Sequence, residues 1–231
     1  MNSLAIQTVT EHAKRLGHTV EIVSSIKSGK EASVFRALLD GKLTAIKVYK
    51  DPSEGGFKNT DVYLDGKFYK NASEERAVAS KNKFGKKLKQ ENWIKREFYM
   101  LQRFYMAGAM IPKPLLLIDN AIFMELLGSD ETVASRLIDV KLTATEASSA
   151  LRSIIESVRI FWNLGVVHAD LSAYNILWWN QKPFIIDFPQ SIDVRTHPDA
   201  RIILERDINN IAKYFNKYIP VDTEEIKKKF N

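Results

Sequence analysis

No cysteine occurs in the 231 residues, which removes disulfides, thiolate nucleophiles and zinc–thiolate sites at once. Histidine is scarce: His12, His18, His168 and His197 are too scattered to suggest a structural zinc site. Long hydrophobic runs are missing as well, and stretches such as Leu115 to Ile118 fall far short of the ~20 residues that a membrane helix needs. The opening MNSLAIQTVTEHAKRLG interrupts its apolar positions with Glu11, His12 and Lys14 and lacks a signal-peptide block. A soluble cytoplasmic protein without a membrane partner is expected. What is present is ordinary globular material, 45% hydrophobic and 27% charged, which excludes wholesale disorder and collagen. The length suits one large domain or two small lobes, burying roughly 70% of the surface of the unfolded chain.

Charge is unevenly spread. The net charge is +6, and residues 58–96 account for all of it, with 11 Lys or Arg against 5 Asp or Glu. Five lysines fall in KNKFGKKLK (81–89). A solvated Lys-rich loop is the plainer reading of such a run. The sharper one is contact with RNA or an acidic protein, with Phe57, Tyr63, Phe68, Tyr69 and Phe84 available for stacking.

Periodicity predicts a short helix over 4–16, then three antiparallel strands within 20–50, broken near Ser28-Gly29-Lys30 and at the hairpin pair Asp40-Gly41. Trp93, Ile94, Phe98 and Leu101 recur at helical spacing, so an amphipathic helix is expected from about 92, ending at Gly108. Two more strands flank Asp119-Asn120 and complete a five-stranded sheet. A buried helix follows over 143–164, capped by Thr143 ahead of Glu146, and LERDINNIAKYFNKYI and TEEIKKKF are also helical in pattern. The expected architecture is α+β and bilobal: an N-terminal helix (1–19), a β-rich lobe (20–127) with a flexible basic loop at 51–91, and a mostly helical lobe (128–231). A cleft between the lobes would be the natural ligand site.

His168-Ala169-Asp170-Leu171-Ser172-Ala173-Tyr174-Asn175 resembles the H-x-D-L-x-x-x-N catalytic loop of protein kinases. Ala45-Ile46-Lys47 resembles the V-A-I-K strand, and an apolar strand is expected over Pro183 to Asp187, with Asp187 beginning a D-F-x triplet. The order Lys47, Glu97, Asp170, Asn175, Asp187 is the kinase order. These types suit phosphoryl transfer, where the protein mainly positions reactants and neutralises charge. Asp170 would orient the attacking hydroxyl, Asn175 and Asp187 would offer hard oxygens to Mg²⁺ or Mn²⁺, and Lys47, oriented by Glu97, would hold the α and β phosphates of ATP.

Taken together, the sequence resembles the RIO family of atypical serine/threonine kinases from about residue 20 to 218. Ser28-Gly29-Lys30-Glu31-Ala32-Ser33-Val34 is similar to that family's phosphate loop, HADLSAYN to its catalytic loop, IIDFPQSI to its metal-binding segment, and LERDINNIAKYF to the helix beyond. The resemblance implies a small bilobal protein-kinase-like fold: a five-stranded antiparallel N-lobe sheet plus helix, a mostly helical C-lobe, and no activation loop. Ala169, standing where an arginine clamps a phosphorylated activation loop in ordinary kinases, agrees. It also implies ATP contacts from Ser28, Gly29, Lys30, Glu31 and Val34, and a protein substrate or autophosphorylation. Small-ribosomal-subunit precursors would be partners, met through 58–96, and in some members an aspartyl phosphate forms at the position of Asp187. Adenine would lie against Ala45, the hinge Met124-Glu125-Leu126, Leu177 and Ile186. The branch without a winged-helix domain is expected, since barely 20 residues precede the first strand.

Three other readings compete with this one. Walker A fails, because Ser24 and Glu31 stand where Gly and Ser or Thr are needed. A small-molecule phosphotransferase shares the catalytic loop, but only 44 residues follow Asp187. An ATP-gated switch that binds the ribosome or RNA is the non-enzyme reading. His168 is expected to support the loop near Asp187 rather than act as acid or base, and Trp178 and Trp179 to pack on alternate strand faces.

Overall fold

The structure, a computed structural model, describes residues 3–50, 83–129 and 131–230. Its chain divides into two compact units, one formed by residues 1–101 and 113–131, the other by 102–112 and 132–231.

In the first unit a helix α1 (Ser3–Arg15) precedes strands β1 (Val20–Ser28), β2 (Ala32–Leu39) and β3 (Lys42–Tyr49); helix α2 (Lys83–Met106) is followed by β4 (Pro114–Ile118) and β5 (Ala121–Glu125). The strands form one antiparallel sheet in the order β1-β2-β3-β5-β4. Asp40 and Gly41, at φ 51° and 76°, make the two-residue turn whose twist matches the flanking strands, and this fixes the β2–β3 register with Leu39 opposite Lys42. Side chains alternate across a strand. Ile46 and Val48 therefore join Phe35, Ala37 and Phe123 in a core that α1 covers with Val9 and Ala13, while Lys47 and Tyr49 project from the opposite face. Helix α2 supplies Trp93 and Glu97 to that second face.

The second unit contains β6 (Ser135–Arg136), α3 (Ala144–Asn163), β7 (Val166–Val167), β8 (Ile176–Trp179), β9 (Lys182–Ile185), β10 (Ile192–Asp193), α4 (Ala200–Phe215) and α5 (Thr223–Lys228). Thr143 and Glu146 cap α3 reciprocally, each side chain bonded to the other's backbone N–H. Phe104, Phe161 and Phe188 pack ring on ring at 4.3 to 5.4 Å. Among the described residues no helix is long and apolar enough to cross a membrane.

The α+β fold with its five-stranded sheet stands as expected, with two differences. Helix α2 begins at Lys83, not near 92, so the end of the expected loop at 51–91 is helical. Lys, Leu and Gln are good helix formers and Gly85 is the single breaker there, so the Lys-rich composition concealed helix propensity. Residues 51–82 of that loop lie outside the described residues. The strand expected up to Asp187 stops at Ile185, because Asp187 adopts φ 70°, outside the extended region.

Phe123 is fully buried and sits opposite Ile46. Phe123→Ala should cost about 3–5 kcal/mol of stability in urea unfolding, the usual range for emptying such a site; a loss under about 1 kcal/mol would contradict this account of the core.

Candidate active site

On the second face of the first unit's sheet, Lys47 Nζ donates to Glu97 Oε1 at 2.9 Å, and both side chains are largely buried, 12% and 5% exposed. Pairing is obligatory at such burial, since an isolated charge there would cost several kcal/mol. Register places Val34 opposite Lys47 and Ala45 opposite Met124, so Val34, Ala45, Lys47 and Met124, all expected ATP contacts, share one sheet face. Glu125 and Leu126 continue from Met124. The Glu125 N–H already donates to the Lys113 carbonyl at 2.8 Å, so any adenine contact along this stretch must use other backbone groups.

The turn Ser28–Glu31 joins β1 to β2. Gly29 N–H donates to the Ala32 carbonyl at 2.9 Å, and the Ser28 and Ser33 hydroxyls lie 3.0 Å apart. Lys30 is exposed and Glu31 half-buried. Lys50 was not expected at all. Its Nζ donates to the Gly29 carbonyl at 2.6 Å and its N–H to the Glu31 carbonyl, tying the end of β3 to this turn.

In the second unit, β8 and β9 are joined by Asn180 and Gln181 at φ 47° and 59°, again a two-residue turn. That turn sets Ile176 opposite Ile185, and one step further the Ile186 N–H donates to the Asn175 carbonyl at 2.9 Å. Asn175 and Asp187 are thereby brought to the same end of one hairpin. Asn175 Nδ2 donates to the Asp170 carbonyl at 2.8 Å and to Asp170 Oδ2 at 2.9 Å. With both amide protons directed at Asp170, the Asn175 side-chain oxygen is the amide's acceptor atom, the one that could serve a cation. Leu177 and Ile186 are half-buried neighbours on this hairpin. Tyr174 in the same loop is exposed, with the Arg136 guanidinium 5.6 Å from its ring centroid.

His168 is buried. Its Nε2 donates to the Ile186 carbonyl at 3.1 Å while its Nδ1 accepts from Asp170 N–H at 3.3 Å, which fixes the neutral Nε2–H tautomer. Burial, outweighing the nearby carboxylates, pushes its pKa below the ordinary value. The ring braces the loop against the Asp187 segment.

Helix α4 contributes a clamp that sequence reasoning missed. Ala169 has φ 64°, a left-handed conformation that strains a residue with a Cβ. Asp207 Oδ2 accepts from Ala169 N–H at 2.8 Å, Arg206 Nη2 donates to the Ala169 carbonyl, and Asn210 donates to the Leu171 carbonyl at 3.4 Å. An acidic residue inside LERDINN reads as a solvated helix position, yet Asp207 is only 1% exposed.

No cluster of three His, Asp or Glu residues suited to a metal occurs among the described residues. If a cation binds at the end of the β8–β9 hairpin, the donors there would be the Asn175 side-chain oxygen and the Asp187 carboxylate. Such a donor set fits Mg²⁺, which keeps waters and substrate phosphates as its other ligands.

A lysine strand paired to a helix glutamate, with an H-x-D loop braced from below and an Asn–Asp oxygen pair at a hairpin end, defines a protein-kinase-like fold. The chain belongs to the RIO family: a family model of the RIO domain matches residues 33–228. The fission yeast protein named serine/threonine-protein kinase rio1 is 35% identical over 87% of this chain and 39% of its own length. The RIO-type serine/threonine-protein kinase Rio1 of Haloferax volcanii is 32% identical over 87% of this chain and 65% of its own. Human serine/threonine-protein kinase RIO3 is 32% identical over 85% and 38%. The chain therefore spans between about two fifths and two thirds of the length of these relatives.

Burial raises the Asp207 pKa from 3.8 to about 6 against the opposing pull of Arg206 and the loop amides. Because the folded value lies above the unfolded one, the folded chain binds this proton more tightly. Its stabilising contribution is complete below pH 4 and is lost as pH rises from about 4 to about 6. The stability of the wild type relative to Asp207→Asn should fall across that window and stay level above it, read by urea unfolding at a series of pH values. A pH-independent difference would remove the titration from Asp207.

Proposed function

We propose that this chain is a serine/threonine-type protein kinase domain that moves the γ-phosphoryl group of ATP to a hydroxyl, on another protein or on itself, or to water. The observation that supports this reading is the β8–β9 hairpin, whose register brings Asn175 and Asp187 to one end, where the Asn175 amide donates twice to Asp170. In the reaction the acceptor oxygen bonds to the γ-phosphorus, the bond from that phosphorus to the bridging oxygen breaks, and ADP departs. Asp170 accepts or orients the acceptor's proton. Lys47, fixed by Glu97, holds the α and β phosphates, and the Ser28–Glu31 turn lies against the phosphates as a backbone cradle. Mg²⁺ or Mn²⁺, when bound at Asn175 and Asp187, supplies positive charge against the phosphate oxygens. The reading is also supported by the names of the relatives, all serine/threonine kinases.

The resemblance to the RIO family further supports work on small-ribosomal-subunit precursors in the cytoplasm. Residues 58–96, which carry the whole net charge, are the segment we assign to RNA contact. The substitutions Lys81, Lys83, Lys86 and Lys87→Ala should weaken binding to ribosomal particles and flatten its dependence on salt. Binding indifferent to both would remove this assignment.

Asp187→Asn keeps the size and one acceptor oxygen but deletes a ligand charge. It should lower Mg²⁺-dependent ATP turnover by about a hundredfold or more while leaving the thermal midpoint near that of the wild type. Full turnover in a folded Asp187→Asn would overturn the proposed role.

A further inference from the structure

The Glu97 carboxylate is held at both oxygens. Lys47 takes Oε1, and the Tyr49 hydroxyl donates to Oε2 at 2.5 Å. Lys47 and Tyr49 are two residues apart on β3 and so share a face, and the Lys47 Nζ stands 5.1 Å from the centroid of the Tyr49 ring. Tyr49 itself is fixed from several directions. It is fully buried, its ring meets Trp93 edge-on at 5.1 Å, and its N–H donates to the Asn120 carbonyl while its carbonyl accepts from Asn120 Nδ2. Gln90, a turn before Trp93 on α2, donates to the carbonyl of the next residue, Lys50, at 2.5 Å.

We infer that Tyr49 is a positioning residue for phosphoryl transfer: its hydroxyl locks the Glu97 carboxylate so that Lys47 is presented in one orientation, and the lysine–glutamate pair is thereby set by the chain's own strand. This deepens the proposed kinase reading and rests on it. A carboxylate with one oxygen released turns about its terminal torsion, which is broad, and its freed oxygen draws the lysine toward a bridging contact. Lys47 is then shared between carboxylate and phosphates instead of being offered to the phosphates. A hydrogen bond to a charged acceptor is among the stronger kinds in proteins, and this one is shielded from water. The sequence masked it, since a tyrosine on a strand reads as apolar packing.

Tyr49→Phe keeps the ring, its Trp93 contact and its backbone bonds while deleting the hydroxyl. It should lower kcat/KM for ATP about tenfold, chiefly through a raised KM for ATP, because the lysine acts on bound phosphates. The distinguishing comparison is a double-mutant cycle with Glu97→Ala. If the hydroxyl acts through Glu97, adding Tyr49→Phe to Glu97→Ala changes kcat/KM by less than about twofold, whereas a purely structural hydroxyl costs the same factor in both backgrounds. Thermal midpoints of all four proteins show that each is folded at the assay temperature. Tyr49→Phe within twofold of an active wild type, or equal losses in the two backgrounds, overturns this inference alone. A folded wild type that turns over no ATP overturns the kinase reading and this inference with it.

Discussion

Two opposite charges, Lys47 and Glu97, are taken out of water on one face of the five-stranded sheet, and much else in the first unit is arranged around keeping them paired. Dehydrating such groups costs several kcal/mol each, and their attraction offsets this only with good geometry and satisfied oxygens. The strand supplies that geometry. The turn at Asp40-Gly41 sets the β2–β3 register, alternation sends Ile46 and Val48 into the core under α1, and the intervening Lys47 and following Tyr49 face α2. A slip of one residue would send the lysine into the hydrophobic core, so the apolar pattern that folds the sheet also aims the amine.

The second unit solves a different problem, which is to hold polar groups exposed yet fixed. Asp170 and Asp187 are exposed, and order comes from what surrounds them. A two-residue turn without glycine, Asn180-Gln181, aligns Asn175 with Asp187. The neutral His168 ring bridges Asp170 N–H and the Ile186 carbonyl, and helix α4 grips the strained Ala169 peptide from both sides with Arg206 and Asp207. Backbone strain at such a site persists only when neighbours over-determine it, and here Arg206 and Asp207 bond Ala169 itself while Asn210 bonds Leu171 two residues on.

Much of this was legible in the sequence, for identifiable reasons. Strands and hairpins announced themselves through alternation and the Asp40-Gly41 pair, and the ends of α2 and α3 through Gly108 and the Thr143–Glu146 capping box. The residues Lys47, Glu97, Asp170, Asn175 and Asp187 stood out because their types and order match a known chemistry. What escaped notice depends on partners distant in sequence. Tyr49 and Asp207 look like packing and surface positions until Glu97 and Ala169 are placed beside them, and Lys50 gains meaning only when the Ser28–Glu31 turn lies next to it. The start of α2 was hidden for a local reason: lysines that form helices well also signal solvated loops.

The most direct measurement of the central claim is the fate of the γ-phosphate. The folded wild-type chain is incubated with γ-labelled ATP and Mg²⁺, and label is followed on protein, in acid-stable and acid-labile linkage, and as free phosphate. The account predicts that label leaves the nucleotide in a Mg²⁺-dependent manner and appears in one of these forms. ATP that stays intact in the presence of a folded chain and Mg²⁺ would contradict it.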